Sequence, residues 1–141
     1  MREDNTTYFL HTDHLGSINV ITDLAGEKVS LTEYTPYGMT SKEENDPSYT
    51  EPRTPYKFTG QEQDSSAGLY YYNARYYDPE LGRFIQADSI VQAPYDPQTL
   101  NRYAYCRNNP VKFVDPSGHG WFSAFLGFVG AIVGGPVNDN I

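Results

Sequence analysis

Cysteine is almost missing from this chain. Cys106 is the single thiol among 141 residues, so an intrachain disulfide is excluded and no covalent staple holds the fold. Basic residues are also scarce: ten Lys and Arg stand against eighteen Asp and Glu, giving a formal charge of −8. Phosphate contacts need clustered cations, so the balance argues against a nucleic-acid-binding surface. Hydrophobic residues make up 38% of a one-domain length, which is lean for a core. Thirteen of them are tyrosines, whose hydroxyls need partners when buried. Met1 to Thr7 is polar and carries no apolar stretch of the secretory-signal kind. The one long uncharged run, 121–137, falls short of the ~20 residues that a membrane-crossing helix needs, and four glycines weaken it as a helix.

What the chain does have is turn chemistry at short intervals. Asp13 to Gly16 and Asp23 to Gly26 both fit a type I turn, in which Asp bonds its own backbone and Gly takes the last position. Between and after them Ile18, Val20, Val29 and Leu31 alternate with polar residues, the period of strands with one buried face. Thr35-Pro36-Tyr37-Gly38 closes this meander with another turn. The stretch 40–55 reads differently. Its polar first half and Pro47, Pro52 and Pro55 give it little to bury and few ladder donors, so it is expected as a surface loop.

Gly68 to Asp88 is the densest segment, with five tyrosines followed by Asp78-Pro79-Glu80-Leu81-Gly82 and Arg83-Phe84-Ile85. Rings suit a pleated surface, and Pro and Gly suit a tight turn, so a β-hairpin turning at Asp78 to Gly82 is expected. Arg75 and Arg83 flank that turn and suggest cross-strand pairing with an acidic residue. Beyond it, Asp96 is placed to cap a short helix begun by Pro97, and Tyr103 to Cys106 reads as a brief strand. Cys106 reads as a small buried apolar group, with a reactive thiol as the alternative.

Several of these segments together carry a family resemblance. His11-Thr12-Asp13-His14-Leu15-Gly16-Ser17, Tyr56-Lys57-Phe58-Thr59-Gly60-Gln61-Glu62, the tyrosine stretch, Leu100-Asn101-Arg102-Tyr103-Ala104-Tyr105, Asn108-Asn109-Pro110 and Asp115-Pro116-Ser117-Gly118 follow in one collinear order. The set closely resembles the rearrangement-hotspot (RHS), or YD-repeat, proteins, and specifically their RHS-repeat-associated core domain. The resemblance implies a mainly β fold in which antiparallel hairpins form the terminal plug of an RHS β-cocoon, followed by a short apolar, helix-compatible tail. It divides the chain into a polar N-terminal tail (1–7), a β-meander (8–39), a polar Pro-rich loop (40–55), the core (56–119) and a Gly-rich apolar variable tail (120–141).

The function so implied is structural: a core or plug that encapsulates or presents a C-terminal effector segment in a polymorphic-toxin type system. Implied partners are other RHS/YD-repeat shell segments or a second copy, together with a C-terminal effector or its cognate immunity protein. Membrane contact of 121–137 is open beside a lid-like role, and nucleic acid is not expected. The implied location is secreted or at the cell surface, as part of a bacterial export system. No cofactor and no metal are expected; His11 and His14 lack a further ligand nearby and belong to the hairpin motif.

In several members of the family the plug also cleaves its own chain with two aspartates, one protonated as acid and one activating water. Matched motifs assign that pair to Asp88 and Asp115, with the cut between His119 and Gly120. This chain has Ser89 where the family has Pro after the first aspartate, and His119 where the family has Leu at the cut. The other reading of Asp88 and Asp115 is turn and cap duty through backbone hydrogen bonds. Asp78 and Asp96 sit in Asp-Pro turns that account for them. A third function class, a cell-surface glycan-binding module presenting its tyrosines, stands beside the plug and the autoprotease.

Overall fold

The computed structural model describes residues 2–3, 6–49 and 54–123, with backbone alone at 2–3 and 122–123. Strands β1 (Arg2–Glu3) and β2 (Thr6–Thr7) pair as a small ribbon. Then come β3 (Phe9–Thr12), β4 (Ile18–Thr22), β5 (Lys28–Tyr34) and β6 (Thr40–Asn45), an antiparallel meander in the order β3-β4-β5-β6. Its first two turns are the same device used twice. Asp13 Oδ1 accepts from the Leu15 and Ser17 amides at 2.8 and 2.9 Å, and Asp23 Oδ1 accepts from Ala25 and Glu27 at 2.8 and 2.9 Å. Gly16 and Gly26 follow at φ +84° and +87°, a region that L side chains avoid.

The second sheet runs β10-β9-β8-β7, from β7 (Glu62–Asp64), β8 (Leu69–Tyr72), β9 (Arg75–Asp78) and β10 (Arg83–Phe84). Alternation along β8 and β9 sends Tyr70, Tyr72 and Tyr77 inward and leaves Tyr71 and Tyr76 outside. The inward rings join Phe58, Phe84, Tyr105 and Cys106 as the main core. Tyr77 lies 4.4 Å from Tyr105 between centroids, and Tyr72 meets Phe84 edge to face at 5.6 Å. Each such pair adds about 0.5–1.5 kcal/mol beyond the area buried.

The hydroxyls find partners inside the fold, and those partners tie the two sheets together. Tyr77 and Tyr70 donate to the carbonyls of Tyr37 and Gly38, in the turn between β5 and β6, at 2.7 and 3.2 Å. Tyr72 donates to the Tyr105 hydroxyl at 3.1 Å and shares a 2.7 Å bond with Thr59. Short 3-10 turns at Phe58–Gly60, Pro97–Thr99 and Cys106–Asn108 fill the connections. The last described strands, β11 (Phe113–Val114) and β12 (Phe122–Ser123), pair antiparallel.

The mainly antiparallel β fold agrees with the sequence reading, and several local expectations need correction. Thr40 to Asn45 forms an edge strand, not a loop; all six residues are exposed, so no apolar alternation marks it. The tyrosine stretch contains a first turn at Asn73-Ala74 ahead of the one at Asp78 to Gly82, with Asn73 at φ +56°. Tyr103 to Cys106 is reduced to a single bridge from Ala104 to Arg83, because Cys106, Arg107 and Asn108 take positive φ and cannot continue a ladder. Asp96 does cap its short helix, accepting from the Gln98 amide at 3.0 Å. Cys106 is buried, and burial pushes its thiol well up, which suits packing over reactivity. The tail reading for 120–141 falls outside the described residues from 124 on, and no helix among the described residues is long and apolar enough to cross a membrane.

Candidate active site: two aspartates around a buried arginine

Asp88 and Asp115 are brought together, and both are buried, at 5% and 4% exposure. The residue between them is Arg75, itself 5% exposed on β9. Its Nη2 lies 3.1 Å from Asp88 Oδ2 and 3.6 Å from Asp115 Oδ2. The expectation that Arg75 pairs across the Asp78 turn is therefore wrong. Inward alternation along β9 carries Arg75 to the same face as Tyr77, whereas Arg83 stays exposed and stands opposite Asp78 in register. The rest of the guanidinium is fully engaged: Nη1 donates to the Arg102 carbonyl at 2.9 Å, Nε donates to the Gly118 carbonyl, and the plane stacks 3.7 Å over the Phe84 ring.

Arg75 was hidden from sequence reasoning because one cation in a tyrosine run has no spacing signature. The available signal was its inward position: an arginine two residues before an inward tyrosine on a strand must be buried, and a buried arginine needs acidic partners.

Asp115 is held in its own turn and buried. Its Oδ1 accepts from the Ser117, Gly118 and Gly120 amides at 3.3, 2.8 and 3.1 Å, which is turn duty. Burial nonetheless pushes its carboxyl above the ordinary value of 3.8, outweighing those amides and the opposing pull of Arg75. Burial in turn lowers Arg75 from its ordinary value, against the two carboxylates. Asp88 caps the following loop, accepting from the Ile90 amide at 3.0 Å, while Arg102 Nε donates to its backbone carbonyl.

The His119-Gly120 peptide lies against this pair. His119 Nδ1 sits 2.9 Å from Asp88 Oδ1, Gly120 N–H points at Asp115, and the His119 carbonyl accepts from Gln92 Nε2. A cavity of about 30 Å³, room enough for one or two waters, is lined in part by Arg75, Asp88, Gln92, Asp115 and Trp121. The buried indole Nε1 of Trp121 has no hydrogen-bond partner among the described residues. Its ring is held by Phe113 at 5.0 Å and by the Arg107 guanidinium at 4.6 Å.

The remaining candidates go elsewhere. Asp78 caps its turn through the Glu80 and Leu81 amides, and Asp96 pairs with Arg107. His11 bonds Thr22 Oγ1 at 3.0 Å and His14 bonds the Val111 carbonyl at 3.0 Å; no metal-ligand cluster occurs among the described residues.

Residues 1–111 match the family model described as Teneurin YD-shell, a span that includes Arg75 and Asp88 and stops short of Asp115. Salivary gland surface protein 1 of Aedes aegypti is 38% identical over 132 residues, 93% of this chain and 4% of that protein. The tRNA nuclease WapA of Bacillus subtilis (strain 168) is 38% identical over 122 residues, 86% of this chain and 5% of its own length. Among solved structures, the crystal structure of TcdB2-TccC3 superposes with a TM-score of 0.70 at 34% identity, over 83% of this chain and 5% of that one. The chain thus spans about a twentieth of the length of these relatives.

Proposed function

The chain belongs to the teneurin YD-shell family of RHS/YD-repeat proteins, and from that premise we propose that it closes such a shell and cuts its own backbone between His119 and Gly120. The structural half of this reading is encapsulation or presentation of the segment that follows Gly120. Its partners are then further YD-repeat shell segments, the enclosed effector and a cognate immunity protein, in a secreted or cell-surface setting. The relatives' names include a toxin subunit, YenC1 of Yersinia entomophaga, and a nuclease, which supports placing the chain in a toxin-type assembly.

One observation carries the cleavage half: the two aspartates hold the two residues that flank one peptide bond, Asp88 the His119 imidazole and Asp115 the Gly120 amide. Asp115, raised by burial, is the acid, and Asp88, beside the Arg75 cation, is the base. Water in the adjoining cavity gives a proton to Asp88 and forms a C–O bond at the His119 carbonyl carbon. The C–N bond then breaks as Asp115 gives its proton to the Gly120 nitrogen. The products are a new carboxyl terminus at His119 and a free amine at Gly120. Arg75 balances the charge of the pair and grips the Gly118 carbonyl, holding the substrate strand one residue before the cut.

Intact-mass measurement of freshly purified protein beside the Asp88→Asn and Asp115→Asn variants tests this. A wild-type split after His119, with both variants whole, is the expected result. Full-length protein in all three leaves the plug role alone and returns both aspartates to turn duty.

A further inference from the structure

The carbonyl that must take negative charge in this cleavage already has a donor aimed at it. We propose, resting on the self-cleavage reading above, that Gln92 is a catalytic residue: its Nε2 donates to the His119 carbonyl oxygen and stabilises the oxyanion formed when water adds. Sequence motifs give no hint of it. Gln92 lies in an irregular loop between Asp88 and the short helix at Pro97–Thr99, and only folding brings it to a residue 27 positions later.

The loop backbone is anchored on both sides of Gln92. On one side of it, the Ile90 amide donates to Asp88 Oδ1 at 3.0 Å, so the base and the start of the loop are one unit. On the other, the Ala93 carbonyl accepts from the Asp96 amide at 2.9 Å and from Thr99 Oγ1. Gln92 is thus suspended between two anchored residues, and it lines the same small cavity as both aspartates. Gln92 thus meets the carbonyl oxygen of the bond to be cut and Asp115 meets its nitrogen, while Asp88 holds the His119 side chain and lines the cavity from which the water is drawn. Gln92 neither gains nor loses a proton in the step. The bond to water forms, electron density moves onto the carbonyl oxygen where Nε2–H meets it, and the density returns as the C–N bond breaks.

An amide donor acts by neutral hydrogen bonding, and its loss in enclosed sites slows reactions by ~10²–10³-fold. Gln92 is exposed, so a smaller effect, on the order of 10- to 100-fold, is expected. The test is a cleavage time course by intact mass on the full chain for wild type, Gln92→Ala, Gln92→Glu and Gln92→Lys, with thermal midpoints measured beside it on an Asp115→Asn background that keeps every chain whole. Gln92→Glu is close in shape but presents an acceptor, so it is expected to be slower than Gln92→Ala. Gln92→Lys retains a donor and is expected to recover part of the rate. The midpoints are expected to stay together, since a surface side chain contributes little packing. Equal rates for wild type, Gln92→Ala and Gln92→Glu overturn the role of Gln92 while leaving self-cleavage standing. Rates that track the midpoints in place of donor chemistry also overturn it. Wild type that stays whole sinks the cleavage reading and the role of Gln92 together.

Discussion

Gly118 rests against the backbone of Tyr72 with no space for a side chain: a Cβ built on it would lie 2.3 Å from the Tyr72 carbonyl oxygen. The glycine also sits at φ +77°, where an L residue is strained. This contact sets where the 115–120 turn lands on β8, and so where the His119-Gly120 bond meets the aspartates. Gly118→Ala must move the turn or the strand. It is expected to cost more than about 1 kcal/mol by urea denaturation and to abolish cleavage even where the chain stays folded. An Ala variant of full stability and wild-type cleavage would show that the turn can shift freely.

Arg75 holds two buried carboxylates apart. Removing it leaves both uncompensated, so Arg75→Met is expected to destabilise by about 3–5 kcal/mol. Adding Asp88→Asn and Asp115→Asn to that variant neutralises the site and is expected to restore most of the loss. Chemical denaturation of the single, double and triple variants reads this coupling directly. Additive losses would mean that the three residues do not act as one unit.

The direction of the Asp115 shift fixes a pH dependence. Its folded carboxyl titrates above 3.8, so the folded state favours the protonated form. The stability it contributes is complete below 3.8 and is lost as pH rises through the raised folded value. Relative to Asp115→Asn, wild type is therefore expected to lose stability as pH climbs from 3.8, and then to level off. Denaturation midpoints of the pair across acid pH check the sign; a gap that widens in favour of wild type with rising pH would mean that Arg75 and the three amides outweigh burial.

The tyrosine core makes a second pH window at the alkaline end. Burial raises Tyr70, Tyr72, Tyr77 and Tyr105 above the ordinary phenol value of 10.0. Their contribution is intact below 10.0 and falls away above it, because unfolding lets the phenols ionise. Phenolate absorbance at 295 nm and far-ultraviolet dichroism, followed together, are expected to show some tyrosines titrating early and the core set rising only with loss of sheet. Smooth titration of all thirteen tyrosines before any loss of dichroism would contradict a sealed core.

Both edges of the first sheet are unequal in their defence. β6 carries Lys42, Glu43 and Glu44, charges that discourage strand addition, while β3 shows Phe9 and Leu10 to solvent at 48% and 37% exposure. Association in solution is expected to run through β3. Light scattering at micromolar concentration is expected to show species larger than 15.9 kDa, reduced by Leu10→Lys. A clean monomer, or association untouched by that change, would count against a partner on this edge.

Local chemistry wrote the meander and its turns into the chain. Asp-x-x-Gly at Asp13 and Asp23, and the one-residue-longer form at Asp78, close hairpins through bonds inside five residues, and period-two alternation needs nothing beyond neighbouring positions, so all three aspartates were legible in their roles. The motif order likewise named Asp88 and Asp115 as candidates. What the residues in order could not show was Thr40–Asn45 as a strand, since an edge with two wet sides has no pattern, nor the additional turn at Asn73, which takes a left-handed backbone between two core strands. Nor could they show Arg75 between the aspartates, or Gln92 on the His119 carbonyl. Those are contacts across 13 to 43 positions, set by which way a strand faces and where a loop is anchored. Burial then decides the rest: the carboxyl of an aspartate that reads as an ordinary turn residue is pushed above its usual value only when tertiary structure takes its water away.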